Sequence, residues 1–162
     1  MLTKEEVYKK LDAAGIPYRV TEHEAAYTID EMKLIDGMNI EDVCKNLFLR
    51  DDSGKRHFLV VIREDKTADL KEVRAQIGSS RLSFASEDRL MKHMGLRKGS
   101  VTPLGILNEE SSSVEVFFDE DLKGRPRLGV HPCDNTATVW MSCESLEKIM
   151  TLRGKTFKYI KI

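Results

Sequence analysis

The sequence predicts an α+β domain built on a mixed sheet, and three observations lead there. Apolar, β-branched runs and amphipathic stretches are interleaved without strict strand–helix alternation, which disfavours a doubly wound parallel sheet. The runs VCKNLFLR (43–50) and HFLVVIR (57–63) flank an Asp/Ser/Gly turn, DDSGKR, and read as a β-hairpin. The second half leans to strands, with VTPLGIL, VEVFFD, TATVWM and TFKYIKI in succession. A single domain over 1–162 is expected, long enough for one sizeable core.

The elements follow in order. Thr3 with Glu6 forms a capping box, Val7 and Leu11 share a face, and Gly15 followed by Pro17 ends the first helix. Residues 18–21 are extended. A second capping box, Thr28 with Glu31, opens a short helix through Met32 and Ile35 that stops at Gly37. After the hairpin, Leu70, Val73 and Ile77 fall at helical spacing, with Gly78 as the stop. RLSFA (81–85) is a short strand, and Ser86 caps a helix carrying Glu87 and Asp88 in its first turn and Gly95 at its end. VTPLGIL (101–107) and VEVFFD (114–119) are expected to pair as a hairpin across NEESSS. TATVWM (136–141) is a strand, Ser142 caps the helix CESLEKIM, and TFKYIKI closes the chain as a strand.

Composition excludes several function classes. No apolar run approaches the ~18 residues that span a bilayer, and the charged N-terminus lacks the apolar core of a signal peptide. Three widely spaced cysteines, Cys44, Cys133 and Cys143, argue against a disulfide framework and for a reducing, cytoplasmic setting. With a formal net charge of −1, nothing global advertises a nucleic-acid partner, although arginines and lysines gather locally from Arg50 to Lys98.

Enzyme signatures built on a nucleophile, a nucleotide loop or a metal are missing: no G-x-S-x-G, Walker A, G-x-G-x-x-G or C-x-x-C. His131-Pro132-Cys133 lacks the glutamate and second cysteine of a zinc-deaminase site. Three local features remain. Lys45 and Asn46 interrupt an apolar strand, where an edge lysine that guards against aggregation is the alternative to a site. GSVTPLG (99–105) sets glycines and a proline around an apolar run, as at an edge, a bend or a pocket wall. GVHPCDNTAT (129–138) gathers His131, Asn135 and Thr136 before a strand; a lone histidine there is more often structural than catalytic.

Taken in order, His23, Thr28 and Glu31, then Lys45-Asn46, RLSFAS (81–86), Gly99-x-x-x-Pro103, and His131-Pro132 with Asn135-Thr136 form a recognisable set. The set resembles the YbaK/prolyl-tRNA-synthetase-associated domain family of trans-editing proteins, and within it the free-standing ProX/PrdX type. The resemblance runs from Gly15 to the last helix. It implies a mixed, mostly antiparallel and partly barrel-like sheet flanked by helices. It also implies hydrolysis of the ester between an amino acid and the terminal adenosine of tRNA, most of all alanine on proline tRNA, with no cofactor, metal or covalent nucleophile.

By the same resemblance Lys45 is the essential strand lysine, reaching the terminal phosphate. Gly99, Ser100, Val101, Thr102 and Pro103 bring the main chain to the ester, and His131 is the pocket histidine. Asn46, Tyr27, Thr28 and Ile29 are further lining, and Arg81 and Arg50 meet the acceptor stem. Val43, Leu47 and Leu49 anchor the strand inward, and Lys45 shares their parity. The implied partners are aminoacylated tRNA and a prolyl-tRNA synthetase, not DNA or a membrane. Gly129-Val130 and Cys133-Asp134 depart from the family pattern beside the pocket histidine. Cysteine on proline tRNA and serine on another tRNA therefore stay open as substrates, and a silent binding module is the alternative of another class.

Overall fold

The computed structural model describes residues 1–35 and 40–162. Its local signals act where the sequence sets them. The Thr3–Glu6 capping box opens α1 (Lys4–Ala13), which buries Val7 and Leu11. Asp69 caps α3 (Leu70–Ile77), Ser86 caps α4 (Glu87–Met94) and Ser142 caps α5 (Cys143–Leu152). Gly78 and Gly95 close α3 and α4 in left-handed conformation. Helix α2 is a single turn, Ile29–Met32, in which the Glu31 N–H donates to Thr28 Oγ1. Its capping box is shifted, because the Glu31 carboxylate accepts from the Tyr27 N–H rather than from Thr28. The expected stop at Gly37 lies outside the described residues.

Eight strands among the described residues form two sheets. The larger has the order β4-β2-β3-β5-β8, with β2 (Cys44–Arg50) and β3 (His57–Arg63) as the expected antiparallel hairpin. Short β4 (Ser83–Phe84) pairs antiparallel with β2, while β5 (Glu115–Asp119) and β8 (Phe157–Ile160) add in parallel. The smaller sheet is antiparallel, with β1 (Arg19–Glu22), β7 (Ala137–Met141) and β6 (Leu128–Val130) in the order β1-β7-β6. A parallel bridge between Val43 and Gly129 joins the two sheets at the start of β2. The partly barrel-like character takes this form, and the barrel is not closed.

Both faces of the larger sheet are buried. Phe48, Leu59, Val61, Val116 and Phe118 face the smaller sheet and its helices; Leu47, Leu49, Phe58, Val60 and Ile62 face α3. A third cluster joins Ala26, Met32, Val43 and Trp140, whose indole N–H donates to Thr21 Oγ1 at 2.9 Å.

Two expectations fail. Residues 101–107 are not a strand: Thr102 is extended, and Pro103–Leu107 and Glu109–Ser113 are 3₁₀ turns instead of a hairpin with β5. The cause is local, since Pro103 has no N–H to give a ladder, and Thr102 Oγ1 accepts from the Leu104 N–H as an N-cap. The buried side chains of Asn108 and Ser111 hold the turns in place: Asn108 accepts from the Leu2 N–H and donates to the Met94 carbonyl, and Ser111 Oγ donates to the Ile106 carbonyl. Strand β6 carries no signal in the sequence. Its three residues follow a basic turn and are too short to show a period.

Candidate active site

The start of β2 opens into a cleft of about 560 Å³. Lys45, Asn46, Gly99, Val101, His131, Tyr27 and Thr28 all line it, so seven of the expected residues converge there. They come from four separate segments.

Lys45 and Asn46 lie on opposite faces of β2, yet both reach the cleft because they sit at the strand's end. Lys45 shares the parity of Leu47 and Leu49, on the α3 side. Its Nζ donates to the main-chain carbonyl of Lys66 at 2.9 Å, just past β3. Asn46 faces the other way, where its Nδ2 donates to the Val101 carbonyl at 3.1 Å. The two faces of β2 are equally interior here, so Val43, Leu47 and Leu49 are anchors to different clusters rather than one inward set.

Gly99 has φ +83°, which favours glycine, and a Cβ there would lie 2.5 Å from Cδ1 of the Tyr27 ring. The exposed Tyr27 ring therefore rests directly on the main chain at the cleft mouth. Beyond Gly99 the segment turns inward. Ser100, Thr102 and Pro103 are buried and line no part of the cleft, and the Ser100 N–H is taken by the Arg97 carbonyl. Thr102 acts as a clip instead: its Oγ1 donates to the His131 carbonyl at 2.6 Å. That bond ties the Gly99–Pro103 segment to the histidine segment.

His131 Nδ1 donates to the Ala137 carbonyl at 3.0 Å, which fixes the tautomer and leaves Nε2 as an acceptor. Burial, chiefly, lowers its pKa below the ordinary histidine value. The imidazole is thus neutral near pH 7 and serves as a polar wall. His23 lies at a ring-centroid distance of 6.4 Å, bonded to Thr138 Oγ1 and the Glu24 carbonyl.

Ile29 belongs to α2, and its side chain is outside the described set. Arg50 and Arg81 are not gathered at the cleft. Arg50 stands five residues along β2 from Lys45, about 17 Å at ~3.3 Å per residue, and its guanidinium donates to the Asp51 and Asp52 carbonyls. Arg81 is exposed just before β4, which pairs with that same far end of β2.

Sequence reasoning missed Glu64, which lines the cleft just after β3. Its burial, first of all, raises the carboxyl pKa above the ordinary value. The signal was an acidic residue ending an apolar strand, which reads as an ordinary strand exit. Among the described residues no group of three or more His, Cys, Asp or Glu could hold a metal. Cys44 also touches the cleft, but burial pushes its thiol far up, and Cys133 is pushed up to about 12. Neither supplies a thiolate near neutral pH. The groups that line the cleft include the Lys45 ammonium, the Asn46 amide, the Glu64 carboxylate, a neutral imidazole and bared main chain, with the exposed Asp30–Lys33 ion pair beside them, a set that binds and orients.

Comparison with known proteins gives this set a context. The model of the aminoacyl-tRNA editing domain matches residues 23–149. The chain is 51% identical over 162 residues to the prolyl-tRNA editing protein ProX of Acetoanaerobium sticklandii, covering 100% of this chain and 99% of that one. It is 32% identical over 149 residues to prolyl-tRNA synthetase associated domain-containing protein 1 of Danio rerio, covering 91% and 80%. A crystal structure of a candidate trans-editing enzyme for prolyl tRNA synthetase superposes with a TM-score of 0.74 at 21% identity. It covers 100% of this chain and 99% of that one, and it supports the fold. The matched model spans every segment that builds the cleft, from His23 to α5, and the chain belongs to the aminoacyl-tRNA editing domain family of ester hydrolases.

Proposed function

We propose that the protein removes alanine from mischarged proline tRNA, hydrolysing the aminoacyl ester with a positioned water. The observation that carries this reading is the convergence of Lys45, Asn46 and Gly99 in one cleft, within a chain so similar to a prolyl-tRNA editing protein. An aminoacyl ester is already activated, so orientation and oxyanion stabilisation are the main tasks. Lys45 exchanges its carbonyl partner for the terminal phosphate and holds the 3′ end as a point charge. The bare main chain at Gly99 lets the ester approach closely. Asn46, anchored on Val101, presents its amide oxygen to the bound amino acid. No protein general base is assigned, and the ribose hydroxyl assists the water.

Selection is by exclusion. A synthetase discriminates poorly between side chains that differ by a few methylenes, and a second, smaller site corrects the error. His131 and Tyr27 are the walls that admit alanine and turn proline away. Arg50 and Arg81 lie too far along β2 for the terminal nucleotide, and contact with the more distant acceptor stem is the role left to them. A prolyl-tRNA synthetase is the protein partner this reading implies. Three free, buried cysteines support a reducing compartment, the cytoplasm.

The test is a panel of labelled Ala-tRNA(Pro), Cys-tRNA(Pro) and Pro-tRNA(Pro). Hydrolysis of the alanyl ester with the prolyl ester spared is the expected result. Preference for the cysteinyl ester would reassign the substrate. No hydrolysis above background with any mischarged tRNA would sink the enzyme reading and leave a binding module.

A further inference from the structure

Among the described residues, two buried side-chain polar atoms have no hydrogen-bond partner, Asn46 Oδ1 and Glu64 Oε2. Both belong to residues that line the same cleft, and both are acceptors. Buried polar atoms are nearly always satisfied, so two orphans of one kind in one cavity describe what is missing from it. The missing group is a hydrogen-bond donor.

Its charge follows from the surroundings of Glu64. Two arginines lie near the carboxylate, but both are engaged elsewhere. Arg63 pairs with Asp65 and Asp121, and Arg125 with Asp42 and the Glu41 carbonyl. The carboxylate takes one bond from its own main chain, and its second oxygen, buried without a donor, is costly to leave so; an arriving cation relieves that cost. The turn that carries Glu64 is firmly held. The Arg63 N–H donates to Asp119 Oδ2 at 3.1 Å, while Lys66 Nζ reaches Asp119 at 2.9 Å and Asp121 at 2.6 Å. This turn also offers the Lys66 carbonyl to Lys45, so carboxylate and lysine share one rigid support.

The end of an aminoacyl-tRNA presents phosphates and an ester carbonyl, which are acceptors, neutral donors in the ribose hydroxyls and the adenine amine, and one cationic donor. We infer that Glu64, together with Asn46, receives the free α-ammonium of the substrate, so that the site selects esters with an unblocked amine. This rests on the reading of the cleft as an aminoacyl-ester site. It adds a residue, and a criterion independent of side-chain size.

The experiment compares alanyl-tRNA(Pro) with the same tRNA carrying lactate, in which a hydroxyl replaces the ammonium at nearly equal size. Wild type is expected to cleave the alanyl ester faster. Glu64→Gln, close to isosteric, should lose about tenfold on the alanyl ester, the worth of one charge-assisted hydrogen bond, and change little on the lactyl ester. Equal loss on both esters, or loss on neither, would overturn the inference. A binding arm separates this from failure of the hydrolase reading: 3′-alanylamido- and 3′-lactylamido-adenosine, which resist cleavage, are titrated into wild type and Glu64→Gln. Tighter binding of the alanyl analogue that Glu64→Gln abolishes supports the inference even if no ester is cleaved. Equal binding of the two analogues by wild type refutes it. Thermal melting of the variant checks that the fold is kept.

Discussion

Lys45 and Asn46 are neighbours in sequence with different mechanical situations. The ammonium of Lys45 is held by one carbonyl at the edge of the α3 face, a bond that a phosphate readily replaces. Lys45→Ala should therefore lower deacylation about a hundredfold or more, in the range seen when a positioning charge is lost, while circular dichroism and melting temperature stay near wild type. Full activity in that folded variant would mean the lysine is misassigned. Gly99→Ala is a different kind of change. It puts a Cβ into a left-handed backbone position and into the Tyr27 ring, and a loss of about 1–3 kcal/mol in stability is expected from strain. Thr102→Val keeps the shape and removes two hydrogen bonds, to His131 and from Leu104. It should cost about 1–3 kcal/mol in urea denaturation and raise KM through the loosened histidine segment.

At the scale of the element, the β2–β3 hairpin works at both ends. One end opens the cleft; the other stacks Phe48, His57 and His93 with ring centroids 5.6 and 3.9 Å apart. Arg89 donates to His57 Nε2 at 3.2 Å, which requires that nitrogen to be unprotonated. Burial first, then His93 and Arg89, lowers the His57 pKa to about 4, with Arg50 adding to the effect and Asp51 opposing it. The unfolded histidine titrates near 6.5, so the unfolded state takes up the proton first. Stability should be constant above that value and fall as pH drops from about 6.5 toward 4. Urea midpoints measured across that window check it, and His57→Gln should flatten the decline. The same hairpin was plain in the sequence because its signals are local: two apolar runs and a turn. The 101–113 segment was misread for the converse reason. Leu104 and Ile106 are fully buried, as a strand's residues would be, and the 3₁₀ turns that bury them rest on Asn108 reaching Leu2 and Met94 and on Ser111 reaching back to Ile106.

For the whole molecule, the cleft exists because two sheets meet at Val43 and Gly129 and diverge from there. One β-sheet serves two cores, so unfolding either exposes the other, and a single cooperative transition is expected by calorimetry. Phe118→Ala, at a fully buried site, should lower stability by about 3–5 kcal/mol without separating the transition into two. Fold class, helix caps and the lysine, asparagine, glycine and histidine of the cleft were legible from residue order. Glu64 was not, because a carboxylate's meaning depends on which arginines decline to pair with it. Arg50 and Arg81, expected at the acceptor stem, stand at the far end of β2, a separation that residue order does not carry.

Trp140 is the chain's single tryptophan, and it packs with Ala26, Met32 and Val43, all three of them on the cleft wall. The Arg127 guanidinium lies against its ring, 4.2 Å from the centroid. The indole is thus a native optical reporter, buried, shared with no second fluorophore of its kind and one layer behind the cleft wall. Occupancy of the cleft should register as a change in its emission, and titration of the unlabelled protein becomes a direct way to follow binding.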